Sequence, residues 1–329
     1  MRIMLTVAAA LSLSGCGSLA SDEDDALPDS STEIAASLPR AEQPTACPAK
    51  GAALQVLGSG GPIAEAARAA TSYLLWIDGE PRLLIDAGAG SFLRYAEAGG
   101  KLATLDAILL THLHADHAGD LVDILNSGGF EERTEPLPVV GPDAAPRFPG
   151  MSDFIQRLVG KDGGAFAYNG GYIDGTENKP ELLVREIATA EGTAAAGIDV
   201  SNDFSVMAHP VNHGVVPALG YMVEVGDASF VITGDQSGLS ERFLADLTNS
   251  KPTILFAHHV INGEDGQPRG LHRTPAQIGE LAGALKPGRL VLTHNMERSL
   301  GPISDSLAAI KDSYSGDVSV AADLDCYAL

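Results

Sequence analysis

Six consecutive residues, His112-Leu113-His114-Ala115-Asp116-His117, carry three imidazoles and a carboxylate. Neutral imidazole and carboxylate are the ligands that zinc-like ions prefer, and an ion needs its ligands converged on one point. Any fold of this chain must therefore bring these groups, and others from elsewhere, to one place. The preceding residues, Leu105 to Leu110 (LDAILL), read as a buried strand, so the cluster sits where that strand ends. His112 and His114 are two apart and point to the same side of extended backbone. Asp116 and His117 follow as the chain turns. The plainer reading is a solvated polar loop after a strand. In a chain with only 9 His, this spacing rarely arises by chance.

A chain of 329 residues is long enough for one large domain or two modest ones. Aromatic residues make up only 5%, so the core must be mostly Ala, Leu, Val and Ile. The formal net charge is −22, from 21 basic and 43 acidic residues. Phosphate backbones are bound by Lys and Arg, and no Lys/Arg run offers them a groove. Nucleic acid is thus not an expected partner.

The start of the chain reads as a targeting segment. Arg2 gives a short positive start, and Ile3 to Leu13 is an apolar run too short to span a bilayer. Leu13-Ser14-Gly15-Cys16 resembles the lipobox of bacterial lipoproteins, which implies a signal peptide over 1–16 and lipidation of Cys16. The competing reading is an ordinary signal peptide. Acyl chains on Cys16 would hold the protein on a membrane in the cell envelope, periplasmic or on the outer surface, without crossing it. Residues 17–46 are rich in Ser, Asp, Glu, Ala and Pro and read as a disordered tether. The globular domain is expected over 47–329. An exported protein meets an oxidising compartment, so Cys47 and Cys326 are allowed to bond. Connectivity is not readable from sequence, and two free thiols remain the alternative.

Ala53 to Leu57 reads as a strand before the turn Gly58-Ser59-Gly60-Gly61-Pro62, a loop at a site rim or a phosphate cradle. Ser72 to Ile77 and Arg82 to Ile85 flank Asp78-Gly79 as a hairpin. Leu121 to Leu125 begins a helix, and 134–150 reads as irregular with a short strand over Leu137 to Val140. Met151 to Val159 is helical. The Gly-rich stretch 160–180 carries Phe166, Tyr168 and Tyr172, and reads either as a flap over the site or as a surface insertion. Strands follow at Leu182 to Ala188, Phe204 to Pro210, Phe230 to Thr233, Ile254 to Ala257 and Arg289 to Thr293. Periodicity alone gives a mixed α/β chain.

THLHADHAGD (111–120) resembles the HxHxDH signature of metallo-β-lactamase-fold hydrolases. LGSGGP (57–62), LLIDAGAG (83–90), NHGVVPALGY (212–221), TGDQ (233–236) and LTHN (292–295) resemble the ribonuclease Z-like branch in order and spacing. The resemblance implies the αββα sandwich, two packed sheets with helices outside. It implies that His112, His114 and His213 hold one divalent ion, and that Asp116, His117 and His294 hold another. Asp235 would bridge them. The ions would be zinc, with manganese or iron as alternatives. It also implies that Asp86 orients a ligand histidine from behind, where the local reading is a turn-forming Asp before Gly.

Asp116 would orient the nucleophile. The resemblance implies a His near here that protonates the leaving oxygen, which makes His272 the candidate general acid; it precedes Thr274-Pro275-Ala276-Gln277, a helix start whose positive end suits an anionic substrate. A surface His near a helix cap is the alternative. His258 and His259 are adjacent after a strand, so at most one faces the site, and they stand where that branch often has an acidic residue. His209, before Pro210, reads as structural. The expected activity is hydrolysis of a small or cyclic phosphodiester. Acyl hydrolysis of a lactone, β-lactam or thioester, or sulfate ester hydrolysis, would use the same nucleophile. A metal-binding scaffold lipoprotein without turnover is the non-enzymatic alternative. The sequence carries no signal for oligomeric state, and a dimer stays open.

Overall fold

Residues 83–85, 107–110 and 290–292 are apolar at consecutive positions and fully or almost fully buried. Strands that are covered on both faces carry this pattern, since neighbouring side chains point to opposite sides. The computed structural model describes residues 47–329. The expected leader over 1–16, its Cys16 and the tether over 17–46 lie outside the described residues.

The strands are β1 (Ala52–Gly58), β2 (Ser72–Ile77), β3 (Glu80–Ile85), β4 (Ala107–Leu109), β5 (Leu137–Pro142), β6 (Leu182–Ile187) and β7 (Ala196–Ile198). Then follow β8 (Ser205–His213), β9 (Val216–Val225), β10 (Ala228–Ile232), β11 (Ile254–His258), β12 (Arg289–Thr293), β13 (Asp317–Val320) and β14 (Cys326–Ala328). Among the described residues they form two seven-stranded sheets, ordered β14-β1-β2-β3-β4-β5-β6 and β13-β12-β11-β10-β9-β8-β7. Each sheet is antiparallel in one half and parallel in the other. The parallel pairs are β3–β4, β4–β5 and β5–β6 in the first, and β10–β11, β11–β12 and β12–β13 in the second.

The helices are α1 (Ser91–Ala98), α2 (Ala115–Ala118), α3 (Leu121–Gly128), α4 (Met151–Val159), α5 (Glu241–Leu247), α6 (Pro275–Leu285), α7 (Glu297–Leu300) and α8 (Ile303–Lys311). Between the sheets, Leu54, Tyr73, Leu83 and Leu109 meet Leu219, Phe230, Phe256 and Val291. The odd residues of β4 face inward, while Ile108 and Leu110 face outward onto Leu121, Leu125 and Ile155. On the far side, Leu255, Leu290 and Leu292 pack on Phe243, Ile278, Leu281 and Ile310. The architecture is the expected αββα sandwich.

Local readings hold at several points. Asp78 (φ 51°) and Gly79 (φ 81°) turn the hairpin between β2 and β3 with both central residues left-handed, as a two-residue loop requires. Thr274 caps α6 through a capping box with Gln277, behind Pro275. The buried strand expected over 105–110 is shorter, Ala107–Leu109, and β8 runs on to His213. Pro210 is tolerated in β8 because β7 pairs only with 206–208, which leaves that flank open beyond them. The stretch 160–180 packs against α4 through a 3-10 segment, Ala167–Ile173. Tyr172 is buried in the outer core and donates its hydroxyl hydrogen to the Leu125 carbonyl, while Tyr168 is exposed. The segment is thus anchored to the outer helical layer, and its buried aromatic serves the core.

Cys47 and Cys326 are bonded, with Cα atoms 5.3 Å apart and a sequence separation of 279. The bond joins the first described residue to β14, which pairs with β1. Closing so long a loop removes freedom from the unfolded chain, a stabilisation of about 2–4 kcal/mol. Cys326→Ser should therefore lower the unfolding free energy by about that amount, read from urea titrations with and without reductant. The parent should fall to the level of the variant when reduced.

Candidate metal centre

The prospective donors leave the C-terminal ends of β4, β8, β10, β11 and β12, which open on the same side of the sandwich. After β4 the chain passes Thr111 and enters the single turn of α2, with His114 at its N-cap position. This turn buries Asp116 and His117 side by side. The approach needs space. A β-carbon on Gly88 would lie 2.2 Å from the Asp116 carbonyl oxygen, and one on Gly61 would lie 2.5 Å from Cε1 of His294. The Gly-rich turn after β1 therefore packs its backbone on an imidazole, the rim position of the two roles considered for it. Asp86 (φ 58°) and His294 (φ 54°) both hold left-handed backbone, a conformation costing about 1–3 kcal/mol that persists where surrounding structure imposes it.

Asp86 lies behind the cluster, fully buried. Its carboxylate accepts from the Thr111 N–H (2.7 Å), the Thr111 hydroxyl (2.8 Å) and Nδ1–H of His117 (2.8 Å). His117 therefore turns Nε2 towards the centre. Nδ1–H of His213 donates to the Leu271 carbonyl at 3.0 Å, which also leaves Nε2 free to face inward. Nε2 of His112 lies 3.0 Å from Nδ1 of His114.

Asp235 stands in the middle. Its Oδ1 is 2.7 Å from Nδ1 of His258, 3.3 Å from Nε2 of His294 and 3.8 Å from Nε2 of His117. Its Oδ2 is 3.7 Å from Nε2 of His213 and 3.8 Å from Nδ1 of His272. Asp116 Oδ2 lies 3.2 Å from Nε2 of His294 and 3.6 Å from Nε2 of His117. Three sets have donor atoms all within 4.8 Å of one another: His112/His114/His213, His117/Asp235/His258/His294 and His213/Asp235/His272. Six of the seven donors expected from the sequence fall in these sets, whereas Asp116 is in none of them and borders the second through His294 and His117. Buried nitrogen and carboxylate donors, with the outer nitrogens of His117 and His213 held by other hydrogen bonds, fit divalent cations of the zinc class.

His258 and His259 do point opposite ways. His258 enters the centre, while His259 lies buried with Nδ1 3.4 Å from the Asn295 side-chain oxygen. His272 is buried at the start of α6, and its Nδ1 has no hydrogen-bond partner among the described residues. His209 lies outside the centre, against Phe243 and 3.8 Å from Asp246. Several neighbours escaped sequence reasoning. Tyr73 and Thr293 touch the site from within strands and read as core, and Phe148 reaches the His114 ring at 6.2 Å from an irregular loop. Arg273 is buried on Gln236, and no spacing signals that pair.

Burial decides the charge state of several imidazoles. It pushes His272 down to about 3 and His258 down to about 4, the latter against the pull of Asp235. Burial also lowers His112 and His114, and like charge from neighbouring histidines adds to it. For Asp116, burial alone would raise the pKa, but His117 and His294 outweigh it and hold the carboxyl below its usual range. His294 does the same for Asp235. Burial disfavours the charged form of His117 too, yet Asp86 and Asp116 overcome it and raise this imidazole to about 9.

Buried histidines and carboxylates at the strand ends of an αββα sandwich define a protein of the metal-dependent hydrolase class. The chain belongs to the metallo-beta-lactamase superfamily, whose family model matches residues 66–294. It is 33% identical over 183 residues to a ribonuclease Z of Mycobacterium sp. (strain KMS), a match covering 55% of this chain and 60% of that protein. The chain thus spans less than two thirds of the length of such relatives. A second ribonuclease Z, from Mycobacterium bovis (strain BCG / Pasteur 1173P2), is 27% identical over 284 residues, covering 82% of this chain and 96% of that one. Among solved structures, the short form of human tRNase Z shares the fold with a TM-score of 0.63 and 21% identity, covering 83% of this chain and 98% of that one.

Two outcomes follow from the geometry. Gly88→Ala, which drives a methyl group into the Asp116 backbone, should weaken zinc uptake at least about tenfold, measured by competition with a chromogenic chelator. With His117 raised from 6.5 to about 9, its ion pair stabilises the metal-free fold below pH 6.5 and is lost as pH climbs through about 9. A cation must displace that proton. Zinc uptake at pH 7 should therefore release at least about one proton, read by calorimetry in buffers of differing ionisation enthalpy, and affinity should rise from pH 6.5 towards 9.

Proposed function

We propose that the chain is a dinuclear metal-dependent hydrolase acting on a small or cyclic phosphodiester. One observation carries the reading: the two oxygens of Asp235 face two different donor groups, Oδ1 towards His117 and His294 and Oδ2 towards His213. His112, His114 and His213 would hold one ion, Asp116, His117 and His294 the other, and Asp235 would stand between them. Zinc, or manganese or iron in its place, supplies Lewis acidity and brings the pKa of water towards neutrality.

Asp116 stays ionised at neutral pH and faces the same space as His294. It orients the attacking water and takes its proton. His272, neutral at pH 7, keeps one ring proton and stands beside the positive end of α6. It relays a proton to the leaving oxygen, giving up its own as its other nitrogen takes up the one that Asp116 removes from the water, while the helix terminus favours a phosphate there. The names of the ribonuclease Z relatives favour phosphodiesters over acyl and sulfate esters. A net charge of −22 disfavours transfer RNA itself, hence the small substrate.

The same proposal places the protein outside the cytoplasm, held to a membrane by lipid on Cys16 with 17–46 as a tether to the domain over 47–329. The Cys47–Cys326 bond supports export, because such bonds persist in oxidising compartments.

Purified protein loaded with zinc should hydrolyse bis(p-nitrophenyl) phosphate and lose this activity to a chelator. Asp116→Ala and His272→Ala should each lower kcat by at least about 100-fold with the fold retained, checked by circular dichroism. Preference for a chromogenic β-lactam or a lactone would replace the phosphodiester reading with the acyl one. Bound metal with no turnover of any would favour a scaffold.

A further inference from the structure

A hydrogen-bond chain behind the donors is left unused by the hydrolytic reading. The Thr293 hydroxyl lies 2.8 Å from the Tyr73 hydroxyl, which lies 3.0 Å from Nε2 of His258, whose Nδ1 lies 2.7 Å from Oδ1 of Asp235. All of these side chains are buried. Their donor roles can be assigned from one end. The Asp235 carboxylate only accepts, so Nδ1 of His258 carries the proton. Nε2 then only accepts, so Tyr73 donates to it. The Tyr73 oxygen in turn accepts from the Thr293 hydroxyl. The backbone N–H of His258 also donates to the Thr233 hydroxyl, 3.1 Å away, which steadies the ring at the strand end.

This chain leaves no lone pair on His258 free to meet a cation, although the ring sits within reach of His117 and His294. We propose that His258, oriented by Tyr73, is a positioning residue for Asp235 and not a metal ligand. Its N–H fixes Oδ1, and with it the plane of the carboxylate, so that Oδ2 stays turned towards His213. Without that bond the buried carboxylate can rotate, and the two donor groups lose their shared member. Tyr73 extends the device into the space between the sheets, where its ring packs edge-on against Phe256 with centroids 5.9 Å apart. The proposal rests on the reading of Asp235 as a shared ligand.

Zinc titration with a competing chelator, and absorption spectra of the cobalt-loaded protein, test it without recourse to activity. His258→Ala should weaken one of two metal equivalents about 10–100-fold. His258→Asn, whose amide N–H stands near the Nδ1 position, should recover most of that loss and keep the parent cobalt spectrum. Tyr73→Phe, nearly isosteric, should weaken the same equivalent several-fold. The positioning role is overturned if His258→Asn changes the cobalt spectrum as loss of a nitrogen ligand does. It is also overturned if both Tyr73→Phe and His258→Asn bind like the parent while His258→Ala melts at a lower temperature, a purely structural effect. Should His258→Ala fail to fold, the other two variants decide the question. Uptake of a single equivalent by the parent protein would overturn the shared role of Asp235 as well, whereas two equivalents with unaltered variants would overturn the positioning role alone.

Discussion

Asp235 is the buried carboxylate on which the ends of several strands converge. A lone ionised carboxylate at that depth would be very costly. His294, His258, His117 and His272 surround it and hold it ionised. Asp86 and Asp116 answer the same surplus of imidazole on the other side of His117. The centre is balanced only when both sheets contribute, so the chemistry and the packing of the sandwich are one constraint.

The sheets satisfy it by sharing a plan. Each joins an antiparallel half to a parallel half, and the parallel strands send their C-terminal ends to one side. Both faces of the central strands are covered, which leaves their ends as the place where polar residues can be gathered. Close backbone contact then finishes the site. Gly88 lets the Asp116 turn settle on the end of β3, and Gly61 lets the first turn lie on His294. Small residues so placed serve the geometry of larger ones.

Much of this was legible in the chain. His112, His114, Asp116 and His117 announce themselves by spacing, because two-residue and turn periodicities directly place neighbouring side chains. Strand parity also foretold that His258 and His259 would part. His213, Asp235 and His294 were legible only through resemblance, since no local rule links residues so far apart. The Gly-rich stretch over 160–180 left two readings open, and burial of Tyr172 under the outer helices settled its packing. Tyr73 gave no sign at all, because an aromatic residue in a strand looks the same whether its hydroxyl is idle or engaged.

The two-sheet sandwich was legible only through resemblance, whereas the amino-acid sequence by itself determined most element types, a mixed α/β content and the chemical nature of the donors. Those depend on periodicity and side-chain chemistry, which act over a few residues. Only the tertiary structure decided that Cys47 reaches Cys326, that Asp235 shows one oxygen to each donor group, and that Tyr73 meets His258. Such pairings depend on how twisted sheets stack and where strands end, quantities that emerge when the whole core packs.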